Sequence, residues 1–531
     1  MSSVAQPVSS PRSGTESSSS DSGFRFDLKY VFYAMLAVNL LIAVPLAMNL
    51  NLRSDEGYAM DTTSKDVAYA VHQAIHFELQ APFYFGVMSV WRKLYDSVFF
   101  ARLFSIIMIV SAAFLLREVA KRYLPQVHYA WLTALYLLNP ITIYAEVDVR
   151  CYALVHLLSV LLLITLYDGF ISEQPRRASQ LAYALLALTA LYTHYYTGFL
   201  LAGGGAILLF HRKWKPLLQY FGWMLIPAAG LAYLSQFMGG QYSQKVLQAD
   251  SNGLLDAPVY VFDLLDTFLI GTERFEIGST ALRWGVRLLI FAALAAPLLL
   301  GWRKLGSLLR QPGSLLPVGL AGMVFCYTVI FMIWGEEFLI FKFLSPMLVP
   351  ALGTLLLLVH TLGKPRLMAY YVSVLALCYG IGLVNTYTPF MKTDDYIGVG
   401  DYLEEQESAG QPVFIFENVH HMLLQHHYQG VNELVALPFP INFDEPWGHE
   451  RWVLTSEEQV AGVFARYPDL QSCWLVTHDQ QVVKKVNLNH RYLESYISDH
   501  FDVVSTRKFP AQLTVRQLKA KPHLSTVQPV D

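Results

Sequence analysis

The sequence predicts a mainly α protein: a polytopic membrane helical bundle of about eleven spans, followed by a small C-terminal extracytoplasmic α/β domain. Three observations carry this. Of the 531 residues, 54% are apolar and only 15% charged, with a mean hydropathy of +0.37. A soluble domain carries about 25% charge, so this composition cannot coat a soluble protein of this size. Apolar stretches near the roughly 20 residues that cross a bilayer recur along the chain, and the loops between them alternate between basic and acidic. The 38 basic and 41 acidic residues leave a net charge of -3, which provides no global basic field for nucleic acid. Cys151, Cys326, Cys378 and Cys473 are scattered, so they form neither a disulfide framework nor a metal-spaced set.

Residues 1–28 are a Ser-rich polar tail without periodicity, predicted to be disordered and cytoplasmic. The membrane domain is predicted over 29–390. Its first stretch, 29–50, reads as a retained span, because the preceding tail is long and weakly basic and shows no small-residue cleavage pattern. Further stretches lie near 99–116, 126–144, 151–168, 180–194, 196–211, 216–236, 284–301, 316–334, 343–361 and 368–388. The run 180–211 carries a polar centre, Tyr192-Thr193-His194-Tyr195-Tyr196, which predicts two short helices meeting at the membrane surface. The long first outer loop, 51–98, has helical-period apolar positions and ends in Ala81-Pro82-Phe83-Tyr84-Phe85-Gly86 and Val90-Trp91. It reads as amphipathic helices lying in the interface, with aromatics at headgroup level. Over 391–531 the composition becomes that of a soluble domain. Strand-like runs such as Pro412-Val413-Phe414-Ile415-Phe416 and Cys473-Trp474-Leu475-Val476 alternate with charged helical stretches like 394–408. Residues from about 518 onward read as frayed.

With the N-terminus inside, the inner loops carry Arg117, Lys121 and Arg122; Arg176 and Arg177; Arg212, Lys213 and Lys215; Arg303, Lys304 and Arg310; Lys364 and Arg366. The outer loops hold Asp55, Glu56, Glu78, Glu146, Asp148, Glu273, Glu336 and Glu337. This is the positive-inside pattern, and merging 180–211 into one helix would break it for every later loop. An odd number of spans then puts the C-terminal domain outside. Few disulfide candidates and a small outer domain suit a multi-pass protein of a bacterial inner membrane.

Ionisable residues at membrane depth or at its surface are costly and mark function. Arg53-Ser54-Asp55-Glu56 follows the first span, where two adjacent carboxylates can bind a metal, orient a hydroxyl or remove its proton. Glu146-Val147-Asp148-Val149-Arg150-Cys151-Tyr152 lies between the third and fourth spans. In an extended loop, a spacing of two puts Glu146, Asp148 and Arg150 on one face, and the planar fork of Arg150 suits phosphate. His194 sits in its Tyr-rich setting beside Tyr195. Trp334-Gly335-Glu336-Glu337 and Phe341-Lys342-Phe343 lie between spans nine and ten. There Lys342 departs from the charge trend and wants an anionic partner, either Glu336, Glu337 or a lipid phosphate. His72, His76 and Glu78 invite a metal, since histidines at i and i+4 face one way on a helix, but a firm third and fourth ligand is missing. A divalent metal therefore stays open and no cofactor is assigned. His420, His421, His426 and His427 match no standard zinc spacing and read as solvated.

Asp55-Glu56-Gly57-Tyr58 resembles the acidic motif in the first outer loop of GT-C superfamily glycosyltransferases. The branch it resembles includes protein O-mannosyltransferases and the aminoarabinose transferase of lipid A. His76 to Tyr84 is similar to the His-Pro-Pro-Leu-Tyr-Tyr segment of that loop, with Pro82 and Tyr84 fitting and His76 displaced. Asn139-Pro140, Tyr144-Ala145-Glu146 and Arg150-Cys151-Tyr152 resemble the Asn-Pro, Glu-x-Arg-x-Tyr region, with Glu146 four rather than two residues before Arg150. Thr193-His194-Tyr195 resembles the Thr-His-Tyr between paired short helices. Lys342-Phe343 to Pro346 and Pro350 stands where an Arg-Tyr pair and prolines are usual. Lys392-Thr393-Asp394-Asp395 resembles the entry to the outer domain in many bacterial members. The match runs in order over roughly 29–440.

The resemblance implies a transferase at the outer face of the membrane. It would move a sugar from a polyprenyl-phosphate donor to a hydroxyl of a glycan, lipid or protein acceptor. It further implies Asp55 as base with Glu56 beside it, and donor phosphate held by Arg150, His194 and Lys342. Glu78, Glu146, Asp148 and Tyr195 would orient substrate. The alternative, a transporter or flippase of lipid-linked saccharides, predicts charges near mid-bilayer and repeated halves with broken helices, and the sequence shows neither. The orientation is testable. A single cysteine at 213 is expected to react with a membrane-impermeant maleimide only from the cytoplasmic side, and one at 431 only from the outside; the reverse pattern overturns the topology.

Overall fold

The computed structural model describes residues 28–246, 280–301, 303, 314–334, 345–387, 394–445, 453–480, 482–483 and 486–522. The Ser-rich tail up to 27, Glu273, Lys304, Arg310, Glu336, Glu337, Lys342 and the Lys392-Thr393 pair lie outside the described residues.

Helices occupy the predicted apolar stretches as far as these are described. The chain begins with α1 (Lys29–Asn49), and the first loop forms α2 (Ser54–Thr62), α3 (Val67–His76) and α4 (Phe83–Arg92). Then come α5 (Val98–Tyr123), α6 (Tyr129–Leu138), α7 (Pro140–Glu146), α8 (Tyr152–Leu166), α9 (Arg177–Leu191), α10 (Thr197–Phe210), α11 (Trp214–Val246), α12 (Thr280–Leu300), α13 (Leu315–Trp334), α14 (Leu348–Thr361) and α15 (Pro365–Tyr387). Tyr30–Asn49, Val98–Tyr123, Tyr152–Ile171, Trp214–Phe237 and Arg366–Val384 are long and apolar enough to cross a membrane, and several of the others are shorter apolar helices.

Two breaks shape the site. The stretch 126–144 divides at Asn139, whose Oδ1 accepts the Ile141 N–H at 2.9 Å, while Pro140 takes the first helical position, where a missing N–H costs nothing. The stretch 180–211 divides into α9 and α10 around the turn at 192–196, as its polar centre predicts.

Between helices in lipid, close packing replaces the hydrophobic driving force. At the α10–α13 contact a Cβ on Gly203 would lie 2.8 Å from the Gly319 carbonyl oxygen, and one on Gly322 would lie 2.5 Å from the Ala206 Cβ. In the first loop, Arg92 ties the end of α2 to α4. It donates from Nη1 to Thr63 Oγ1 at 2.8 Å and to the Met60 carbonyl, and from Nε to Asp96 at 3.0 Å.

The C-terminal part comprises α16 (Tyr396–Gln406), β1 (Val413–Phe416), α17 (Asn418–Leu424), β2 (Leu434–Leu437), α18 (Glu457–Phe464), β3 (Ser472–His478), β4 (Val482–Val483), β5 (Val486–Asn487), α19 (His490–His500), β6 (Phe501–Lys508) and β7 (Leu513–Ala520). The main sheet has the order β2-β1-β3-β7-β6, with β1 parallel to β2 and β3, and β7 antiparallel to β3 and β6. The expectation of fraying from about 518 is corrected: Leu518 and Lys519 pair with Cys473 and Ser472, and Ala520 pairs with Phe501. Leu52, Tyr58 and Phe77 of the first loop share a core with Tyr396, Val419, Met422 and Trp474. Ala59 and Met60, on the same short α2, pack into the bundle core. Helix α2 is thus the joint between the two parts.

Gly203→Ala is expected to lower the melting temperature of the solubilised protein by several degrees, in line with about 1–3 kcal/mol for overpacking. Gly222→Ala, where a Cβ meets nothing within 4 Å, is expected to leave it unchanged or raise it. Equal effects would contradict the helix contact.

Candidate functional site

Helix ends leave carbonyl groups unpaired, and α1 ends just before the predicted acidic motif. Arg102, from α5, reaches across to that end. Its Nη1 donates to the carbonyls of Ala47 at 3.1 Å and Leu50 at 2.8 Å, and its Nη2 donates to Asn51 at 3.0 Å. The same guanidinium grips Glu56, with Nε to Oε1 at 3.1 Å and Nη2 to Oε2 at 3.2 Å. Glu56 also accepts the backbone N–H of Arg53 at 3.1 Å and of Val149 at 3.0 Å. Both side chains are sealed from water, at 1% and 0% exposure. Successive residues on a helix diverge by about 100°, so Glu56 points into this knot while its neighbour Asp55 stays partly exposed. The two adjacent carboxylates therefore have different surroundings. That of Glu56 holds backbone from two motifs together.

Above the knot, Arg150 reaches from the turn before α8. Its Nη1 donates to the Asp55 carbonyl at 3.0 Å and to Glu78 Oε2 at 3.2 Å, and both side chains are nearly buried. The Arg150 Nε and the Tyr84 hydroxyl are buried polar atoms without a hydrogen-bond partner among the described residues. Glu78 also lies 3.5 Å from Thr62 Oγ1, and Leu79 directly after it adopts a φ of 54°. That left-handed conformation is strained for a residue with a side chain. Burial pushes the Glu78 carboxyl above its usual range, against the pull of Arg150. Arg53 donates to the Tyr144 hydroxyl and lies 5.5 Å from that ring's centroid. Burial weakens its charged form, but Asp148, Asp55 and Glu56 together hold its pKa above the ordinary arginine value. Asp55 thus sits between two guanidinium groups.

His194 joins this group through Tyr152, whose ring centroid is 5.8 Å away. The Tyr196 N–H donates to His194 Nδ1 at 3.3 Å, which leaves Nε2 as the N–H of the neutral ring. Phe83 N–H donates to the Tyr192 carbonyl at 2.8 Å, tying this turn to the first loop. Tyr195 packs against the Leu79 and Leu234 cluster. Asp148 is 2% exposed and close to Arg53.

Glu146 requires a correction. The expectation that it shares a face with Asp148 and Arg150 assumed an extended loop, whereas α7 stays helical through Glu146. Its fully buried carboxylate accepts from Asn39 Nδ2 of α1 at 2.8 Å, away from the Arg150–Glu78 pair. Lys342 lies outside the described residues. The His72 and His76 rings lie 4.4 Å apart, but Glu78 is engaged by Arg150. Among the described residues, no group of three or more His, Cys, Asp or Glu could hold a metal.

Arg102 and Asn39 were missed because long apolar runs surround them. The signal was present: an arginine inside an apolar stretch is costly unless it is fully paired.

The outer-domain histidines depart from the solvated expectation. His420 is buried, with Nδ1 2.6 Å from the Tyr396 hydroxyl and its ring stacked 5.0 Å from that of His478. His478 Nε2 lies 3.4 Å from Asp394 Oδ1. His427 Nε2 accepts the Leu52 N–H at 3.4 Å. Burial pushes the Glu417 carboxyl up to about 7, with His478 opposing. An acid raised in the folded state contributes stability below its unfolded value that is lost as pH rises through the folded one. His478, which burial lowers but Asp394 raises further, has the same sign.

Two predictions follow from these contacts. Arg102→Leu leaves Glu56 buried and uncompensated, so a loss of about 3–5 kcal/mol is expected, read as a collapse of the melting temperature; an unchanged value contradicts the knot. From about pH 5 to about pH 8 the melting temperature of the wild type is also expected to fall relative to that of Glu417→Gln, which lacks the raised carboxyl; parallel pH profiles in the two proteins would contradict the assignment to Glu417.

No protein-family profile and no curated protein sequence matches the chain. Among solved structures, the chain is similar to ArnT from Cupriavidus metallidurans bound to undecaprenyl phosphate. The TM-score is 0.57 at 15% identity, over 95% of this chain and 100% of that one. Apo ArnT gives 0.56 at 13% identity, over 94% and 99%. The Archaeoglobus fulgidus oligosaccharyltransferase tethered with an acceptor peptide gives 0.42 at 11% identity, over 92% and 74%. These neighbours are GT-C glycosyltransferases. The likeness to ArnT covers nearly the whole of both chains, and this protein therefore shares the fold of ArnT.

Proposed function

We propose that the protein is a glycosyltransferase that moves a sugar from a polyprenyl-phosphate donor to an acceptor hydroxyl at the outer face of a bacterial inner membrane. The observation that carries this is the arrangement at Arg150, which bonds both the backbone of Asp55 and the Glu78 carboxylate and keeps its Nε free of partners among the described residues. The ArnT neighbour, solved with undecaprenyl phosphate, supports a lipid-phosphate donor. Eleven spans, with the domain over 391–531 outside, agree with the charge alternation. The exposed Phe83, Val90, Leu94 and Tyr95 suit an interfacial position for α4 and the loop after it.

The reaction is an inverting single displacement. The acceptor oxygen attacks the anomeric carbon and Asp55 takes its proton, while the bond from that carbon to the phosphate oxygen breaks. Charge accumulates on the departing lipid phosphate, and Arg150, His194 and Lys342 stabilise it through an oxocarbenium-like transition state. Glu78, Asp148 and Tyr195 line the substrate side. Glu56 and Glu146 position backbone and helices instead of substrate. The sugar and the acceptor are set by contacts beyond these residues.

Purified protein in lipid, supplied with a panel of radiolabelled polyprenyl-phosphate sugars, is expected to release free sugar slowly from one donor, with water as a poor acceptor. Asp55→Asn is expected to lower that release by about 10²–10⁴-fold, the range for losing a general base. Unchanged release would sink Asp55 as the base.

A further inference from the structure

Helix α2 carries Asp55 and is clamped on two sides. The inner clamp is the Arg102–Glu56 knot. On the outer side α17 comes close at Gly57: a Cβ there would lie 2.6 Å from Met422 Cε and 2.7 Å from Leu423 Cδ2, so the ends of both side chains would have to shift. Gly57 is not among the positive-φ residues, so the backbone does not require glycine at this position. Glycine inside a helix costs up to about 1 kcal/mol relative to alanine, and what it provides is close approach.

Around this seat the outer domain makes further ties to the α1–α2 corner. Ile397 N–H donates to Asn51 Oδ1 at 2.8 Å, and Leu52 N–H donates to His427 Nε2 at 3.4 Å. The Phe77 and Phe443 rings lie 4.9 Å apart, and Tyr58 joins the same core as Val419, Met422 and Leu423. Burial holds His427 down at about 4, which keeps it a neutral acceptor for the Leu52 N–H.

We propose that the outer domain is a working part of the active site, with Met422 and Leu423 acting as positioning residues that seat on Gly57 and fix the pose of the helix bearing Asp55. This rests on the transferase reading above. Asp55 and Gly57 are about 3 Å apart along the helix axis, so a displacement of α17 carries directly to the base. A misplacement of about 1 Å can cost about 10²-fold in rate, which is why such a seat matters to the chemistry.

The test is a cycle of Gly57→Ala, Met422→Ala and the double variant in the full-length protein in lipid. It reads turnover, half-saturation by the polyprenyl-phosphate sugar that the wild type uses, and melting temperature. Gly57→Ala is expected to lower turnover about tenfold or more with half-saturation unchanged. Met422→Ala alone is expected to lower it slightly. The double variant should recover most of the loss, because the new methyl group occupies the space vacated by Met422; Leu423→Ala should rescue in the same way. Wild-type turnover in Gly57→Ala, or losses that simply multiply in the double variant, would overturn the proposal. So would turnover, half-saturation and melting temperature all falling together, which marks a merely structural contact. If the wild type transfers no sugar from any donor, the transferase reading fails by itself. The melting-temperature cycle then still decides whether α17 sets the pose of α2: coupling between 57 and 422 sustains it, and additivity overturns it.

Discussion

An arginine taken out of water must have every donor satisfied, and Arg102 meets that condition with all five of its N–H groups spent on Ala47, Leu50, Asn51 and Glu56. Glu56 in turn accepts backbone N–H groups from Arg53 and Val149. One ion pair thereby fixes the end of α1, the start of α2 and the turn before α8 against α5. A buried pair contributes only when its remaining hydrogen bonds are filled, and here they are filled by the loops that build the site. Asp55, Arg53 and Arg150 take their positions from this knot.

Helix α2 also explains why a membrane bundle and a small sheet domain meet where they do. Its inner residues, Ala59 and Met60, belong to the bundle core, while Tyr58 belongs to the core shared with α17 and β3. Asp55 sits at the start of this joint, so both parts bear on its position. The histidines and carboxylates at the ends of β1 and β3 form a further buried network, joined to α2 through α17, which carries His420, and through Tyr396, which bonds His420 and shares a core with Tyr58.

Much of the fold was legible because apolar length and charge alternation are local signals. Tyr192 to Tyr196 marked the break between α9 and α10, whereas the stretch 126–144 read as one span although Asn139-Pro140 divides it into α6 and α7. The pairing of Asp55, Glu78, Arg150 and His194 in one place was legible only through the order of the motifs, since contacts across the bundle leave no local periodicity. Glu146 was misplaced because its charge spacing fits a strand as readily as the helix it ends. Arg102 was passed over because a single charge barely alters a long apolar run. The antiparallel return of β7 onto β3 is a long-range pairing that a terminal segment does not announce.

The most direct measurement is a structure of the protein with undecaprenyl phosphate in lipid. The phosphate is expected within hydrogen-bond reach of Arg150 Nε and His194 Nε2, with the Asp55 carboxylate across the open space from it. A phosphate bound elsewhere in the bundle, or placed on the same side as Asp55, would contradict the displacement and the roles assigned around it.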